Sequence, residues 1–452
     1  MEIKIDSKLH IRFHTPPEAE TLIGLFTYPN PKYQDNARMN FSNFGVPKEI
    51  MTCEFDERER ELVSSRGELW KIIRRVPFKL IDETVLGREL PNIQFQSPDF
   101  KLDSRQIEVV KIMHEKQQGI VHAATSAGKS AMILAGVSLI KRKTVVVVHR
   151  KVLIEQLMED AKKWLTGASI GQVGAGKCEV NDVTFCIDKS LKTALNKHPE
   201  LFSDVGCVIQ DECHLASTTT FQDIIGRFPA RKRFGFTGTM KRKDRKEFLI
   251  HATFGQVIAT ITKDELEEAG RTTPIEIKVH DTDTRVPEFF FEYDTKDFWR
   301  EADKLIHLTK KREEQVAEIA NEILERDPRA KVLILSRYVT PCYEIAKLIP
   351  GAGVITGKEK DHKKTCDALE LGEIRALVAT LGTVSTGVNI KTLTDIILFS
   401  PVFSNELLLH QSRGRLMRKV EGKDKGTFHL MFDPNIFPKY KIQNAVRILK
   451  KP

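Results

Sequence analysis

The sequence predicts an α/β protein with two parallel-sheet units in tandem, preceded by a small α+β domain. From residue 98 onward, short apolar runs alternate with segments of helical spacing, which indicates strands joined by helices. Runs such as Val145–Val148 lack polar alternation, a pattern typical of strands buried on both faces of a parallel sheet. The chain has 452 residues, too many for one hydrophobic core, so we expect more than one domain.

Changes in composition along the chain predict where the domains begin and end. Residues 1–95 mix short β-like runs with clusters of Pro, Asn and aromatic residues, which favours the small α+β domain. Residues 98–262 and 300–452 contain the two alternating α/β segments. The alternation weakens over residues 263–299, which we interpret as a linker or insertion. Within it, the aromatic stretch 289–299 is typical either of a core or of a wedge that separates nucleic-acid strands.

The charge of the chain favours an anionic partner. The net charge is +9 and the sequence pI is about 9.0. Residues 96–262 hold 25 basic and 17 acidic residues, so most of the excess lies in the first α/β segment. Seven cysteines without a C-x-x-C pair favour free thiols over zinc or disulfides. No apolar run approaches the roughly 20 residues of a membrane span, so we expect a cytoplasmic protein (host cytoplasm if viral) and no membrane partner.

The stretch "ATSAGKS", residues 124–130, has the features of a phosphate-binding loop. It lies between an apolar strand and a predicted helix. Its closing Gly, Lys and Ser supply a tight turn, a cation for the outer phosphates and a hydroxyl for Mg²⁺. Ala123 stands where the usual spacing has its first Gly, and the alternative is a turn in which this order arose by chance. The candidate residues are Thr125, Ser126, Ala127, Gly128, Lys129 and Ser130.

Two acids follow the apolar strand in "VIQDECH". Parallel α/β sheets bind their ligands at the carboxyl ends of their strands, and this is where Asp211 and Glu212 lie. We expect Asp211 to hold Mg²⁺, and Glu212 to orient and deprotonate an attacking water. The alternative is a polar strand end that caps the next helix.

A basic segment in the second α/β unit, "HQSRGRLMRK" at residues 410–419, has helical spacing of its polar residues. On a helix, Gln411, Arg415 and Arg418 share one face at i, i+4 and i+7. Such a face can supply positive charge to the transition state of a triphosphate. The alternative is a solvated basic helix.

A second basic cluster, residues 227–246, surrounds the strand "FGFTGT". It is typical either of a solvated face or of a phosphate-binding surface on the first α/β unit. In the second interpretation Lys241, Arg242 and Lys243 contact DNA.

Taken in order, these motifs together with "VVVVHRKVLIEQ" and "VATLGTVSTGVN" resemble those of superfamily-two helicases and translocases. The resemblance covers residues 98–440 and is strongest to the phage UvsW-type and the RecG- and XPB-like branch-migration helicases. It implies two RecA-like domains in tandem, with ATP and Mg²⁺ as cofactors. It also implies a monomeric ATP-dependent DNA helicase that remodels forks, Holliday-type junctions and R-loops by unwinding and branch migration, with residues 1–95 as the domain that recognises the DNA structure. Three alternatives stay open: an RNA helicase, a restriction-system motor, and an ATP-gated DNA-binding module that does not unwind.

The resemblance also implies roles for single residues. Lys129 and Ser130 bind phosphate and magnesium, Asp211 and Glu212 run hydrolysis, and Arg415 and Arg418 act as arginine fingers. The implied ATP contacts are Gln106, Thr125, Ser126, Ala127, Gly128, Lys129, Ser130, Gly387 and Gln411, and the implied metal ligands are Ser130 and Asp211. The implied coupling residues are His214, Thr237, Gly238 and Thr239, and the implied DNA contacts are Arg150, Gly174 and Thr380.

Three positions depart from the family pattern. Arg105 stands where an aromatic residue usually precedes the adenine-reading Gln106. The stretch "CIDKSL" replaces a frequent Thr-x-x-Ser-type DNA contact, and Asn389 replaces a frequent Asp. These departures put base stacking and coupling in question, and they leave the expectation of ATP hydrolysis in place.

Overall fold

The computed structural model describes the chain except for a set of short segments and single residues. The chain forms two compact units, residues 1–261 and 262–452. Within the described residues, no helix is both long and apolar enough to cross a membrane. The positions outside the described residues are 57, 74, 76, 99, 125, 150, 216–222, 243, 271, 285–295, 308, 358–361, 385–389, 391, 402–405, 418–422 and 451–452.

The first unit begins with a small mixed sheet of order β5-β6-β2-β1-β7, in which only β1 and β7 pair in parallel. A separate antiparallel pair joins β3 to β4. The strands are β1 (Glu2–Ile5), β2 (Lys8–Arg12), β3 (Thr27–Pro29), β4 (Glu49–Met51), β5 (Cys53–Asp56), β6 (Glu61–Ser65) and β7 (Lys79–Asp82). The helices are α1 (Pro16–Leu25), α2 (Pro31–Arg38) and α3 (Trp70–Ile73).

The rest of the first unit contains an eight-stranded sheet of order β13-β12-β14-β10-β15-β16-β9-β17, parallel except for β13, and a separate antiparallel pair of β8 with β11. The strands are β8 (Gln94–Phe95), β9 (Gln118–Ala123), β10 (Thr144–Val148), β11 (Leu165–Thr166), β12 (Ile170–Gly174), β13 (Lys177–Glu179), β14 (Val183–Ile187), β15 (Cys207–Gln210), β16 (Lys232–Thr237) and β17 (Val257–Ile261). The helices are α4 (Ser104–Glu115), α5 (Lys129–Ile140), α6 (Lys151–Trp164), α7 (Asp188–Lys197) and α8 (Phe248–Phe254). The valines of β10 are fully buried, as the absence of polar alternation predicts.

The second unit has a six-stranded, wholly parallel sheet of order β18-β23-β22-β19-β21-β20. The strands are β18 (Ile275–Asp281), β19 (Val332–Ser336), β20 (Gly353–Ile355), β21 (Ala376–Thr380), β22 (Asp395–Leu398) and β23 (Gly426–Phe432). The helices are α9 (Lys263–Glu268), α10 (Lys296–His307), α11 (Lys310–Arg326), α12 (Val339–Lys347), α13 (His362–Leu371), α14 (Leu381–Val384), α15 (Glu406–Leu416) and α16 (Lys439–Lys450). The predicted class, α/β with two parallel-sheet units in tandem after a small α+β region, is confirmed.

One predicted boundary is wrong. Strand β18, which lies within the predicted linker or insertion 263–299, pairs along its full length with β23 and forms the edge of the second sheet. Phe298, from the aromatic stretch, packs in the core of the same unit. The remainder of that stretch, residues 289–295, lies outside the described residues.

The small N-terminal sheet is bonded directly to the parallel sheet of its unit. The guanidinium of Arg66 is buried and donates hydrogen bonds to the carbonyls of Ala230 (2.7 Å) and Arg231 (3.0 Å) and to the side chain of Gln118 (2.9 Å). The buried Arg233, on β16, donates in return to the carbonyl of Ser7 at 3.0 Å. A buried guanidinium is costly unless it is hydrogen-bonded, so these contacts fix the N-terminal sheet on the first α/β core.

Candidate nucleotide-binding site

Three loops that carry predicted site residues meet at one edge of the first parallel sheet. They follow β9, β15 and β16, and β16 lies between the other two in the sheet. Because the carboxyl ends of parallel strands share one edge, the loops "ATSAGKS", "DECH" and the end of "FTGT" converge there. The sheet order therefore explains why residues more than 100 positions apart in sequence share one site.

The loop after β9 has the backbone of an anion cradle. Ser126 (φ 74°) and Gly128 (φ 79°) both adopt left-handed conformations, and Gly128 is the N-cap of helix α5. A Cβ on Gly128 would lie 2.4 Å from Nε2 of Gln106, so this position requires glycine. The first-turn N–H groups of α5 have no acceptor within their own helix and carry the positive end of its dipole. Thr125 lies outside the described residues.

Lys129, the first residue of α5, forms an ion pair with an acid from the next loop. Its Nζ lies 2.9 Å from Oε1 of Glu212, and both side chains are largely buried. Burial would lower the pKa of Lys129, but the charges of Glu212 and Asp211 outweigh it and raise that pKa. The ammonium group therefore stays charged at the mouth of the cradle.

The two acids after β15 differ in their electrostatics. Burial and the adjacent charge of Glu212 raise the pKa of Asp211 to about 6. Glu212 is also buried, but Lys129 and His214 outweigh that burial and hold the pKa of its carboxyl well below the ordinary value. The Glu212 backbone is left-handed (φ 50°), and its N–H donates to Oδ1 of Asp211 at 2.9 Å. Two carboxylates crowded at a strand end suit a site that takes up a cation.

His214 connects these acids to the "FTGT" strand. The hydroxyl of Thr237 donates to the carbonyl of Thr239 at 2.8 Å, so it accepts from Nδ1 of His214 at 2.7 Å. The same Nδ1 lies 3.3 Å from Oε2 of Glu212. This arrangement assigns the proton to Nδ1. The other ring nitrogen, Nε2, is buried and has no hydrogen-bond partner among the described residues.

Gln106 packs against the cradle. Its Nε2 donates to the carbonyl of Ala127 at 2.8 Å, and its side chain and backbone form a capping box with Asp103. The side chain is buried. The predicted contact with adenine stays a prediction, and the observed bonds position the loop. Arg105, which replaces the usual aromatic residue, donates to the carbonyl of Thr260 at 3.0 Å.

One predicted DNA contact is wrong. Arg242 is buried rather than exposed, and its Nη1 donates to the carbonyl of His214 at 2.7 Å. Its Nε and Nη2 bind the carboxylate of Asp244 at 2.9 and 2.6 Å. Arg242 therefore braces the "DECH" loop. Lys241 is exposed, as a phosphate contact requires, and Lys243 lies outside the described residues.

The other predicted DNA contacts lie at strand ends. Gly174 ends β12 with φ 136°, and a Cβ there would approach Ile187 carbons at 2.9 Å. Thr380 ends β21, and its hydroxyl lies 2.8 Å from that of Thr383. Arg150 lies outside the described residues, but its neighbour His149 pairs with Asp188 of "CIDKSL" at 2.9 Å. The segment that carries the predicted contact Arg150 is thus joined to the stretch that departs from the family pattern.

Sequence reasoning missed one further residue at this edge. His122, on β9, is half-buried and hydrogen-bonds to the backbone of Gly238. Burial lowers the pKa of His122, and the charge of Lys129 lowers it further. The only sequence signal was its place two residues before the loop. Its contact gives the cradle strand a second link to the "FTGT" loop.

The predicted residues of the second unit are only partly described. Arg415 lies on α15 and is half-buried, and its charge acts on the thiol of Cys366. The backbone of Gln411 is helical, as predicted, but its side chain is not described. Gly387, Asn389 and Arg418 lie outside the described residues.

Comparison with known proteins gives a family match that includes the loops after β9, β15 and β16. The family described as "Type III restriction enzyme, res subunit" matches residues 99–242. The "ATP-dependent DNA helicase uvsW" of Enterobacteria phage T4 is 27% identical over 70% of this chain and 65% of its own length. The "DNA 3'-5' helicase XPB" of Kineococcus radiotolerans is 25% identical over 70% of this chain and 57% of its own length. These matches thus span less than two thirds of either relative.

A solved structure is also similar. The alignment with the crystal structure of T4 UvsW covers 100% of this chain and 97% of the UvsW chain, at 21% identity and a TM-score of 0.44.

Proposed function

We propose that this chain, a homologue of the superfamily-two helicases of the UvsW and XPB type, is an ATP-dependent DNA helicase or translocase. The observation that carries the proposal is the 2.9 Å pair between Lys129, at the start of α5, and Glu212, beside Asp211. A charged lysine at a helix N-terminus offers a site for a triphosphate, and the adjacent acids supply the means to hydrolyse it.

The residues at this edge fit ATP with Mg²⁺. The left-handed turn at Gly128 and the small residues before it let the backbone approach phosphate oxygens closely. Ser130 and Asp211 are the proposed metal ligands, since a hydroxyl and a carboxylate are hard oxygen donors. When bound, Mg²⁺ neutralises charge on the β- and γ-phosphates.

Glu212 is the proposed general base. In the absence of nucleotide, Lys129 and His214 stabilise its anion and make it a weak base. A γ-phosphate competes for Lys129, so nucleotide binding draws the lysine away and strengthens Glu212 as a proton acceptor. His214 then carries the change to Thr237, Gly238 and Thr239. This order of events links hydrolysis to the presence of substrate.

The remaining site residues keep their proposed roles. Arg415 and Arg418 sense the γ-phosphate, Gln106, Gly387 and Gln411 contact the nucleotide, and Arg150, Gly174, Thr380, Lys241 and Lys243 contact the DNA backbone. Arg242 is withdrawn from the DNA contacts and assigned to bracing the "DECH" loop.

We further propose that the substrate is branched DNA (forks, Holliday-type junctions or R-loops) and that the protein unwinds it and migrates the branch. This step is supported by the resemblance to UvsW-type helicases and by the N-terminal sheet, which is fixed on the first α/β core and presents exposed aromatic side chains.

The test compares ATP hydrolysis and strand displacement on four substrates: forked DNA, linear duplex DNA, single-stranded DNA and single-stranded RNA. We expect the highest rate of hydrolysis with forked DNA, together with displacement of a labelled strand. Stimulation by RNA alone would favour an RNA helicase. Hydrolysis without displacement would favour an ATP-gated binding module. The Glu212→Gln variant is the matched control, because it keeps the shape of the site and removes the base.

A further inference from the structure

A short loop in the N-terminal part of the first unit holds aromatic side chains in solvent. In the loop of residues 39–46, the exposed fractions are 97% for Phe44, 64% for Phe41 and 61% for Met39. Large apolar side chains clustered in this way on a folded protein indicate an interaction surface. The nucleotide-binding site makes no use of them.

Hydrogen bonds hold this loop in one conformation. The Phe41 N–H donates to the carbonyl of Asn36 at 2.8 Å, and the side chain of Asn36 donates to the carbonyl of Ser42 at 3.2 Å. The side chain of Asn43 donates to the carbonyl of Tyr33 at 3.3 Å. The backbone that carries the exposed rings is therefore fixed by the loop's own bonds, so little backbone entropy is lost when the rings bind a ligand.

The loop is also anchored to the first α/β core. Helix α2, which precedes the loop, is held by Arg245, whose Nη2 lies 2.5 Å from Oδ1 of Asp35 and 3.2 Å from the carbonyl of Pro31. The ring of Tyr28, on β3, stacks on Phe248 of α8 with centroids 4.1 Å apart. Arg245 and Phe248 belong to the segment after "FTGT" in which Arg242 contacts His214. The exposed rings are thus fixed to the domain that carries the cradle.

The charges around the loop favour a nucleic acid as its partner. Lys32, Arg38 and Lys48 are all exposed in this segment. The acid between them, Asp35, is already paired with Arg245. Aromatic rings flanked by exposed cations form the arrangement that binds unstacked bases, with rings against base faces and cations against phosphates.

We propose that the loop 39–46 is a base-stacking element, in which Phe41 and Phe44 stack on unpaired DNA bases where two strands separate. The proposal rests on the proposed function, because it names the part of the chain that contacts the branch. It also explains why the rings are held in solvent in the free protein.

The experiment uses the full chain and measures binding to a forked DNA without nucleotide, by fluorescence anisotropy. The double variant Phe41→Ala/Phe44→Ala should lose affinity for the fork by a factor of about ten or more for each ring removed, as expected for loss of base stacking. The slope of affinity against salt should not change, since stacking releases no counterions. A 2-aminopurine base at the branch point should lose the quenching that the unaltered protein produces.

Two controls make the result specific. Phe41→Tyr/Phe44→Trp keeps the aromatic faces and should retain binding and quenching. Tyr440→Ala removes an exposed aromatic ring (60% exposed) from the second unit and should change neither. A melting curve for each variant checks that it folds.

Three results would overturn the loop proposal. The double variant could bind the fork as tightly as the unaltered protein, or it could lose as much affinity for a fully paired linear duplex as for the fork. It could also lose self-association while fork binding stays intact, which would assign the rings to a contact between copies of the chain. Hydrolysis is measured separately on single-stranded DNA at saturating concentration. If the unaltered protein binds forks but DNA does not stimulate its hydrolysis, the helicase proposal fails while the binding result stands.

Discussion

The carboxyl edges of the two parallel sheets differ in backbone strain and in the kinds of polar group that they bring together. At the first edge, a lysine, two acids and a histidine crowd together, and Glu212 and Ser126 have left-handed backbones. Nε2 of His214 is buried there without a hydrogen-bond partner among the described residues. Strain and incomplete bonding of this kind persist where function requires them.

At the second edge the groups around Ser400 and Asp303 are paired, although Oδ2 of Asp433, directly after β23, is buried without a hydrogen-bond partner among the described residues. The hydroxyl of Ser400 accepts from the N–H of Arg337 and donates to Nε2 of His307, both at 2.6 Å. The carboxylate of Asp303 accepts from Nη1 of Arg337 at 2.5 Å and from the hydroxyl of Tyr338 at 3.1 Å. The comparison favours the first edge as the place of the proposed reaction, while the bonds around Ser400 and Asp303 hold the shape of the second edge.

The largest effect should follow Lys129→Ala. Removing the ammonium group takes away the cation proposed for the outer phosphates, so we expect hydrolysis to fall by about 10³-fold or more. The measurement is the steady-state rate of ATP hydrolysis with saturating DNA. Lys141→Ala, at the exposed end of the same helix, is the control and should hydrolyse ATP normally. Near-normal turnover in Lys129→Ala would remove the cradle from the mechanism.

A large loss of stability should follow Arg66→Ala. The change removes donors to two backbone carbonyls and to Gln118, all in the first α/β core. Each buried group left without a partner costs about 1–3 kcal/mol. The free energy of unfolding of the first unit should therefore fall by the sum of several such costs. Denaturant titration measures it, with the exposed Arg58→Ala as control. A change of less than about 0.5 kcal/mol would mean that the N-terminal sheet does not stabilise the core.

A pH dependence should distinguish the second edge from the first. Burial lowers the pKa of His307 to about 4, aided by the charges of Arg312 and Arg337 and opposed by Asp303. The unfolded chain has the ordinary value of about 6.5 and takes up a proton first as pH falls. The contribution of neutral His307 to the free energy of unfolding is therefore complete above about pH 6.5. It is lost as the pH falls towards 4, and the loss is about 3 kcal/mol at most.

The measurement is the denaturation midpoint of the second unit between pH 7 and pH 4. The unaltered protein should lose stability across this window, and His307→Gln should lose less because its amide cannot become charged there. Equal slopes for the two proteins would mean that other groups dominate the acid sensitivity.

The sequence was sufficient to predict the candidate site where a motif directly follows a strand of a parallel sheet. The two parallel sheets are confirmed, and the loops of Lys129 and Asp211 do meet, because parallel strands end at a common edge. The pairing of β18 with β23 was missed, since the two strands lie about 150 residues apart and no local pattern records a partner. The anchoring of the N-terminal sheet was missed for a similar reason. Arg66 binds backbone carbonyls, which every sequence offers equally.

The basic run "MKRKDRK" shows the same limit at the scale of one side chain. A run of cations predicts a positive surface, but it does not reveal that one member turns inward. Arg242 does so because Asp244 and the carbonyl of His214 together satisfy its guanidinium. Its neighbour Lys241 stays exposed. Two adjacent residues of the same charge therefore have different predicted roles.

The smallest expected effects separate those two residues. Lys241→Ala removes one proposed phosphate contact, so the slope of log affinity against log salt should become shallower by about 1, with hydrolysis at saturating DNA unchanged. Arg242→Ala should leave that slope alone and slow hydrolysis by about tenfold, because the "DECH" loop loses its brace and Glu212 its fixed position. Fork binding at several salt concentrations and hydrolysis at saturating DNA measure the two effects in parallel. If Arg242→Ala changed the slope and left hydrolysis intact, its guanidinium would have to leave its buried partners to reach phosphate, and the brace would not exist.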